Sequence, residues 1–178
     1  MVEHLSVYNM SATGCLAEIW GQRSQITYSE YFDGCESGEY RDGVLCQNVE
    51  GLSFADESFD LVISEDVFEH VRDYHRGLAE IRRVLKPGGY HIFSVPLGFT
   101  HPTLARFAIK GGQEVPVLPV EHHGDPVRGQ IRVFTSFGYD LFDQLSAMGF
   151  EVSLEISRYD DERRYGTFHS CTFVTRKQ

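Results

Sequence analysis

Phe59-Asp60-Leu61-Val62-Ile63-Ser64 is a short, nearly continuous apolar run, preceded by the turn-forming Ala55-Asp56-Glu57-Ser58. Apolar residues that run on rather than alternate suit a parallel strand covered on both faces. A helix should follow. Asp73 is placed to cap it, and Leu78, Ile81, Val84 and Leu85 recur at helical spacing. Arg82, Arg83 and Lys86 would occupy its last turn, where cations complement the helix dipole, and Pro87-Gly88-Gly89 would end it. Tyr90 to Val95 then reads as the next strand, closed by Pro96. Strand, helix, strand in this order is a βαβ unit with a right-handed parallel crossover.

The flanks extend the same pattern. Leu5 to Tyr8, Ile26 to Tyr28 and Val44 to Cys46 are short β-type runs, and Ser11 to Gln22 is helix-like but short. Thr135 to Met148 reads as a helix with Phe137, Leu141, Phe142, Leu145 and Met148 on one face and Gly149 as its cap. Phe150 to Ser157 and Thr167 to Thr175 alternate apolar with polar residues, as a closing antiparallel pair at a sheet edge would. Alternating β and α elements of this kind make an α/β sheet. The stretch between Pro96 and Thr135 is long and rich in Gly, Pro and His, and loops of that length often bind or cover a ligand.

Composition narrows the setting. A chain of 178 residues fits one domain with a sizeable core. Its formal net charge of −10 argues against a broad nucleic-acid footprint and against docking on an anionic membrane. Cys15, Cys35, Cys46 and Cys171 show no C-x-x-C pair, so neither a disulfide framework nor a zinc site is expected. No signal peptide is visible and no stretch approaches the roughly 18 apolar residues of a membrane span, which together point to the cytoplasm.

Two blocks carry a family resemblance. Leu52-Ser53-Phe54-Ala55-Asp56-Glu57-Ser58-Phe59-Asp60-Leu61-Val62, with Glu69-His70 after it, resembles the L-P-F-x-D-x-S-F-D-x-V and E-H motifs of class I S-adenosylmethionine-dependent methyltransferases of type 11. Glu80-Ile81-Arg82-Arg83-Val84-Leu85-Lys86-Pro87-Gly88-Gly89 is similar to the same family's E-x-x-R-V-L-K-P-G-G. The resemblance covers residues 40–96 well. It implies a Rossmann-like fold: a mostly parallel seven-stranded sheet with an antiparallel last strand and helices on both faces.

The resemblance also implies a cofactor site. An acidic residue and a glycine-rich loop, E-x-G-x-G-x-G, should follow the first strand; here the segment is Asn9-Met10-Ser11-Ala12-Thr13-Gly14. Asn9, Ser11, Thr13 and Gly14 are therefore the counterparts of that loop. Glu30, after the second strand, should accept hydrogen bonds from the ribose hydroxyls. Asn48 and Val49 should meet the adenine, and Ser64 and Glu65 should line the transfer pocket at the carboxyl end of their strand, with Asp66 toward substrate. Relatives carry a helical segment before the first strand. Its place here would be taken by an upstream part, by another chain or a second copy covering the cofactor, or by nothing in a minimal form.

Methyl transfer needs positioning, plus a base where the nucleophile must lose a proton. His70, His122 and His123 are the base candidates, with His122, His123 and Asp125 also placed to touch substrate. The bland readings are a histidine that braces the helix after its strand, for His70, and a Gly-Asp-Pro turn, for residues 122–126. No metal is expected, because three near-consecutive residues such as His122, His123 and Asp125 rarely converge on one ion. Arg106, Lys110 and Arg128 read as solubilising charges that could attract an anion, and residues 159–165 as a solvated charged connection.

The leading expectation is one domain, residues 1–178, with a substrate or lid insertion at about 97–134, that uses S-adenosylmethionine to methylate a small molecule. The alternative is a non-catalytic methyltransferase-like binding or partner protein, motivated by Asn9, Ser11 and Thr13 in the cofactor loop. A nicotinamide-dependent oxidoreductase ranks last, since G-x-G-x-x-G is absent after the first strand.

Overall fold

In a computed structural model, which describes residues 4–21, 25–125, 127–156 and 171–178, the first half of the chain alternates strands and helices. Its elements are β1 (Val7–Asn9), α1 (Cys15–Trp20), β2 (Ile26–Glu30), β3 (Tyr40–Arg41), β4 (Val44–Cys46), β5 (Phe59–Glu65), α2 (Tyr74–Val84) and β6 (Leu85–Ser94). The second half holds β7 (Leu104–Ala105), β8 (Phe107–Lys110), β9 (Gln113–Pro116), β10 (His122–Asp125), β11 (Gly129–Arg132), β12 (Thr135–Ser136), α3 (Leu141–Ala147), β13 (Phe150–Ile156) and β14 (Cys171–Lys177). The main sheet runs β13-β14-β6-β5-β1-β2-β4-β3. Pairing is parallel from β6 through β5, β1 and β2 to β4, and antiparallel where β14 joins β6 and β13. This is the expected mostly parallel sheet with a reversed last strand. It has eight strands rather than seven, because the two-residue β3 folds back antiparallel on β4.

The two sequence blocks are bonded to each other. Glu80 accepts the Leu52 amide at 2.8 Å, while the Arg83 guanidinium donates to Glu80, to Asp56 and to the carbonyls of Leu52 and Phe54, all within 3.1 Å. Helix α2 starts as predicted, with the Asp73 carboxylate accepting the Arg76 amide at 3.0 Å. It buries Gly77, Leu78, Ile81 and Val84, each large apolar residue contributing about 2 kcal/mol by leaving water. Gly77 packs closely there: a Cβ would lie 3.1 Å from the Phe68 ring, tighter than most such contacts. The helix ends at Val84 rather than at Pro87-Gly88-Gly89, because Leu85 already pairs with Phe59 across the sheet. The Pro-Gly-Gly turn lies inside β6, where Gly88 has φ +76° and a Cβ on Gly89 would come 2.9 Å from the Lys86 carbonyl oxygen.

Two expectations for the second half change. The segment between Pro96 and Thr135 is not structureless: β8–β9 and β10–β11 are antiparallel hairpins, and β7 pairs with β12. The helix read over Thr135 to Met148 covers only Leu141–Ala147, with Thr135 and Ser136 taken by β12 and Phe137 bridged to Leu97. Leu141 and Leu145 are buried as read, whereas Phe142 is exposed. Helix α1 likewise spans six residues of the predicted twelve-residue stretch. The charged connection at 159–165 lies outside the described residues. Among the described residues, no helix is long and apolar enough to cross a membrane.

Candidate active site

The carboxyl ends of β1, β2, β5 and β6 lie side by side, the edge at which open α/β sheets bind ligands. Strand β1 ends on Asn9, which is 1% exposed and has no hydrogen-bond partner for either amide atom. The loop after it bends onto β2: the Ala12 amide donates to Glu30 Oε1 at 2.9 Å, and the Ser11 hydroxyl lies 3.2 Å from the same oxygen. Gly14 opens α1 with φ +92°, a conformation that favours glycine. Burial pushes the Glu30 carboxyl above its ordinary range, against the pull of the Ala12 and Ser11 hydrogen bonds. Asp125 adds to that rise and Arg128 offsets it, so the β10–β11 hairpin reaches the end of β2.

A cavity of about 260 Å³ lies at this edge. Of the residues expected from sequence, Ser11, Thr13, Glu30, Glu65, Asp66, His70, His123 and Asp125 line it. A second cavity of about 480 Å³ is lined by Asn48, Val49, Tyr31, Arg128 and His122, and shares His70 and Ile131 with the first. His122 and His123 therefore fall on opposite faces of β10, and the set His122, His123, Asp125 does not converge. Gly14 faces a different hollow, against Tyr28 and Tyr40, which Thr13 also lines. Ser64 lines none of these cavities: it is buried, with its hydroxyl 3.0 Å from His91 Nε2.

Sequence reasoning missed Glu69. It was read as part of the Glu69-His70 pair, yet only the histidine was given a role. The Glu69 carboxylate is 1% exposed, neither oxygen has a hydrogen-bond partner, and burial pushes it up to about 8. A carboxylate inside the apolar stretch Val67-Phe68-Glu69-His70-Val71 was the available signal. His70 Nε2 and His123 Nδ1 lie 3.8 and 3.7 Å from Glu69 Oε1, and the two rings meet edge to face with centroids 5.0 Å apart. Burial holds the His70 imidazole below its ordinary range, although its hydrogen bond to Arg132 works the other way.

The three cations of the segment separate. Arg106 is committed to Ser136, the Pro119 carbonyl and Glu121. Lys110 sits on an exposed hairpin end. Arg128 pairs with Asp125 at 3.0 Å and lies 5.5 Å above the Tyr31 ring, at the second cavity.

Comparison with known proteins bears on this geometry. Residues 11–93 match the family model described as a methyltransferase domain. The malonyl-[acyl-carrier protein] O-methyltransferase of Methylovorus sp. (strain MP688) is 29% identical over 186 aligned positions, covering 87% of this chain. The chain spans 60% of the length of that relative and smaller shares of other curated relatives that it matches. Among solved structures, an S-adenosylmethionine-dependent methyltransferase from Methanosarcina mazei aligns with TM-score 0.60 at 15% identity, covering 99% of this chain and 94% of the other. The 1,6-didemethyltoxoflavin-N1-methyltransferase of Burkholderia thailandensis, solved with its substrate and S-adenosylhomocysteine, aligns with TM-score 0.55 at 18% identity, covering 98% and 71%. The fold is thus that of the class I, Rossmann-like methyltransferases.

Proposed function

We propose that this chain, whose residues 11–93 match the family model described as a methyltransferase domain, is an enzyme that transfers a methyl group from S-adenosylmethionine to a small-molecule nucleophile. The observation that carries this reading is the pair of adjoining cavities along one sheet edge. One holds Glu30 with the Ser11–Gly14 loop folded against it, and the other holds Asn48 and Val49. The second cavity falls in the range of about 300–1,000 Å³ typical of small-molecule sites.

The residues present suit that cofactor. Among the described residues Glu30 uses only Oε1 for hydrogen bonds, which leaves Oε2 to accept from a ribose hydroxyl. The Asn48 amide can pair with an adenine edge beside Val49. Asn9, buried with no partner, is an unspent hydrogen-bonding group beneath the loop. When bound, S-adenosylmethionine supplies an electrophilic methyl group on a sulfonium. The substrate would lie toward Asp66, His70 and His123, under the β10–β11 hairpin. Nδ1 of His70 lies 2.8 Å from the Arg132 carbonyl oxygen; in the neutral ring the proton then sits on Nδ1, and Nε2 carries the lone pair. The unpaired thiols Cys35, Cys46 and Cys171 suit a reducing, cytoplasmic setting.

A second reading, a binding protein without catalysis, is favoured by one observation: the loop hydroxyl and amide already occupy one oxygen of Glu30. Calorimetric titration with S-adenosylmethionine and S-adenosylhomocysteine separates the two. Saturable binding, weakened about 10- to 100-fold in Glu30→Ala as loss of a hydrogen bond to a charged group requires, supports the enzyme reading. Absence of binding to the unaltered chain would leave the binding-protein reading.

A further inference from the structure

Glu69 is buried in a way the fold does not require. Neither carboxylate oxygen has a hydrogen-bond donor, although buried charges are as a rule paired or bound to metal. Its nearest polar neighbours are two imidazole nitrogens, His123 Nδ1 at 3.7 Å and His70 Nε2 at 3.8 Å, both facing Oε1.

The far side of each ring fixes its tautomer. His70 Nδ1 lies 2.8 Å from the Arg132 carbonyl oxygen, which can only accept, so Nδ1 donates and Nε2 keeps the lone pair. His123 Nε2 lies 3.3 Å from Glu121 Oε1, also an acceptor, so in the neutral ring Nε2 donates and Nδ1 keeps the lone pair. In their neutral forms both rings thus turn a lone pair toward Glu69 Oε1. Imidazoles oriented through their outer N–H by a carbonyl and by a carboxylate are the arrangement that metal-binding histidines adopt.

We propose that Glu69, His70 and His123 bind one first-row divalent cation of the zinc type. The three ligand atoms lie within 4.8 Å of one another. Bonds of about 2.0–2.2 Å require closure of roughly half an ångström on each side, within reach of a histidine carried on a hairpin. Two imidazoles and one carboxylate favour zinc or a neighbouring transition ion over magnesium or calcium, which prefer all-oxygen sites. All three residues line the 260 Å³ cavity, so the coordination positions they leave open face it and would take water or an oxygen donor. This set differs from the His122, His123, Asp125 combination considered from sequence, and joins two places in the chain, the adjacent pair Glu69-His70 and His123 on β10. The site stands whether or not the methyl-transfer reading holds.

The test is titration of the full, chelator-treated chain with Co²⁺, read by visible absorption, and with Zn²⁺ and Mg²⁺, read by calorimetry. One equivalent of Co²⁺ should bind with the spectrum of a nitrogen- and oxygen-ligated site of low coordination number, and Zn²⁺ should displace it. Mg²⁺ should bind at least about 100-fold more weakly than Zn²⁺. His123→Ala, on an exposed hairpin, and Glu69→Gln should each weaken Zn²⁺ by about 100-fold or more, with circular dichroism confirming that the first remains folded. No stoichiometric binding, Mg²⁺ binding as tight as Zn²⁺, or affinity unchanged in a folded His123→Ala would each overturn the proposal.

Discussion

Arg83 shows how one side chain can hold a sequence block together. Its guanidinium reaches the Glu80 carboxylate, the Asp56 carboxylate and two carbonyls of the loop that leads into β5. A fork of five donors fits these acceptors, and the single ammonium of lysine cannot. Arg83→Lys should therefore keep the charge and still lose about 2 kcal/mol of unfolding free energy, read from the denaturant midpoint. A midpoint within error of the unaltered chain would show that the loop finds other donors. Individual residues varied in how much the sequence revealed. Asp73 was readable as a cap because capping is local, and Glu30 because its motif neighbours fix its place. Glu69 showed only as a carboxylate in an apolar stretch, and its meeting with His123 depends on a hairpin more than fifty positions away.

At the level of elements, β5, α2 and β6 were readable because their patterns are continuous and uninterrupted, while their boundaries were set by partners. Pairing of Leu85 with Phe59 ends α2 early, and pairing of Thr135 and Ser136 with β7 removes two residues from the predicted helix. Helical spacing alone cannot register such competition. The β10–β11 hairpin hid its first strand behind a turn signal: of residues 122–126, read as a turn, 122–125 form β10 and 126 lies outside the described residues. Asp125 accepts the amides of Val127 and Arg128 at 2.8 and 2.6 Å and pairs with the Arg128 guanidinium. Burial alone would raise the Asp125 carboxyl, but these donors outweigh it and hold it below its ordinary range. Asp125→Ala should loosen the hairpin by about 1–2 kcal/mol, which means roughly tenfold faster amide exchange over residues 122–132 with β5 and β6 unchanged. Faster exchange throughout the sheet, or none anywhere, would contradict a locally closed hairpin.

For the whole molecule, the α/β class could be anticipated from the alternation of elements, and the mostly parallel sheet with its reversed last strand from the family resemblance. Many lining residues of the site could be named singly, but not how they meet, because contacts such as Ser11 with Glu30 or His70 with Arg132 join segments far apart in the chain. The sheet also contains a group that couples stability to pH. His91 is fully buried between Phe68 and Phe93, its Nδ1 has no partner, and burial holds it at about 3. In the unfolded chain it titrates near 6.5. Between those values the unfolded chain carries a proton that the folded one refuses, so stability is fully present above about 6.5 and falls as pH drops toward about 3. The slope is about 1.4 kcal/mol per pH unit for one group. Asp60 and Glu80, held low chiefly by Lys86 and Arg83, add loss of the same sign at more acidic pH, whereas the burial-raised Glu30, Glu65 and, most of all, Glu69 work in the opposite direction. Comparison with His91→Gln, which can still reach Ser64, cancels the carboxylates. Between pH 6.5 and 4.5 the unaltered chain should lose about 2–3 kcal/mol more than the variant, measured by urea unfolding at each pH. Parallel curves would mean that the buried imidazole takes up its proton without unfolding, through an opening of β6 that brings water to its free nitrogen.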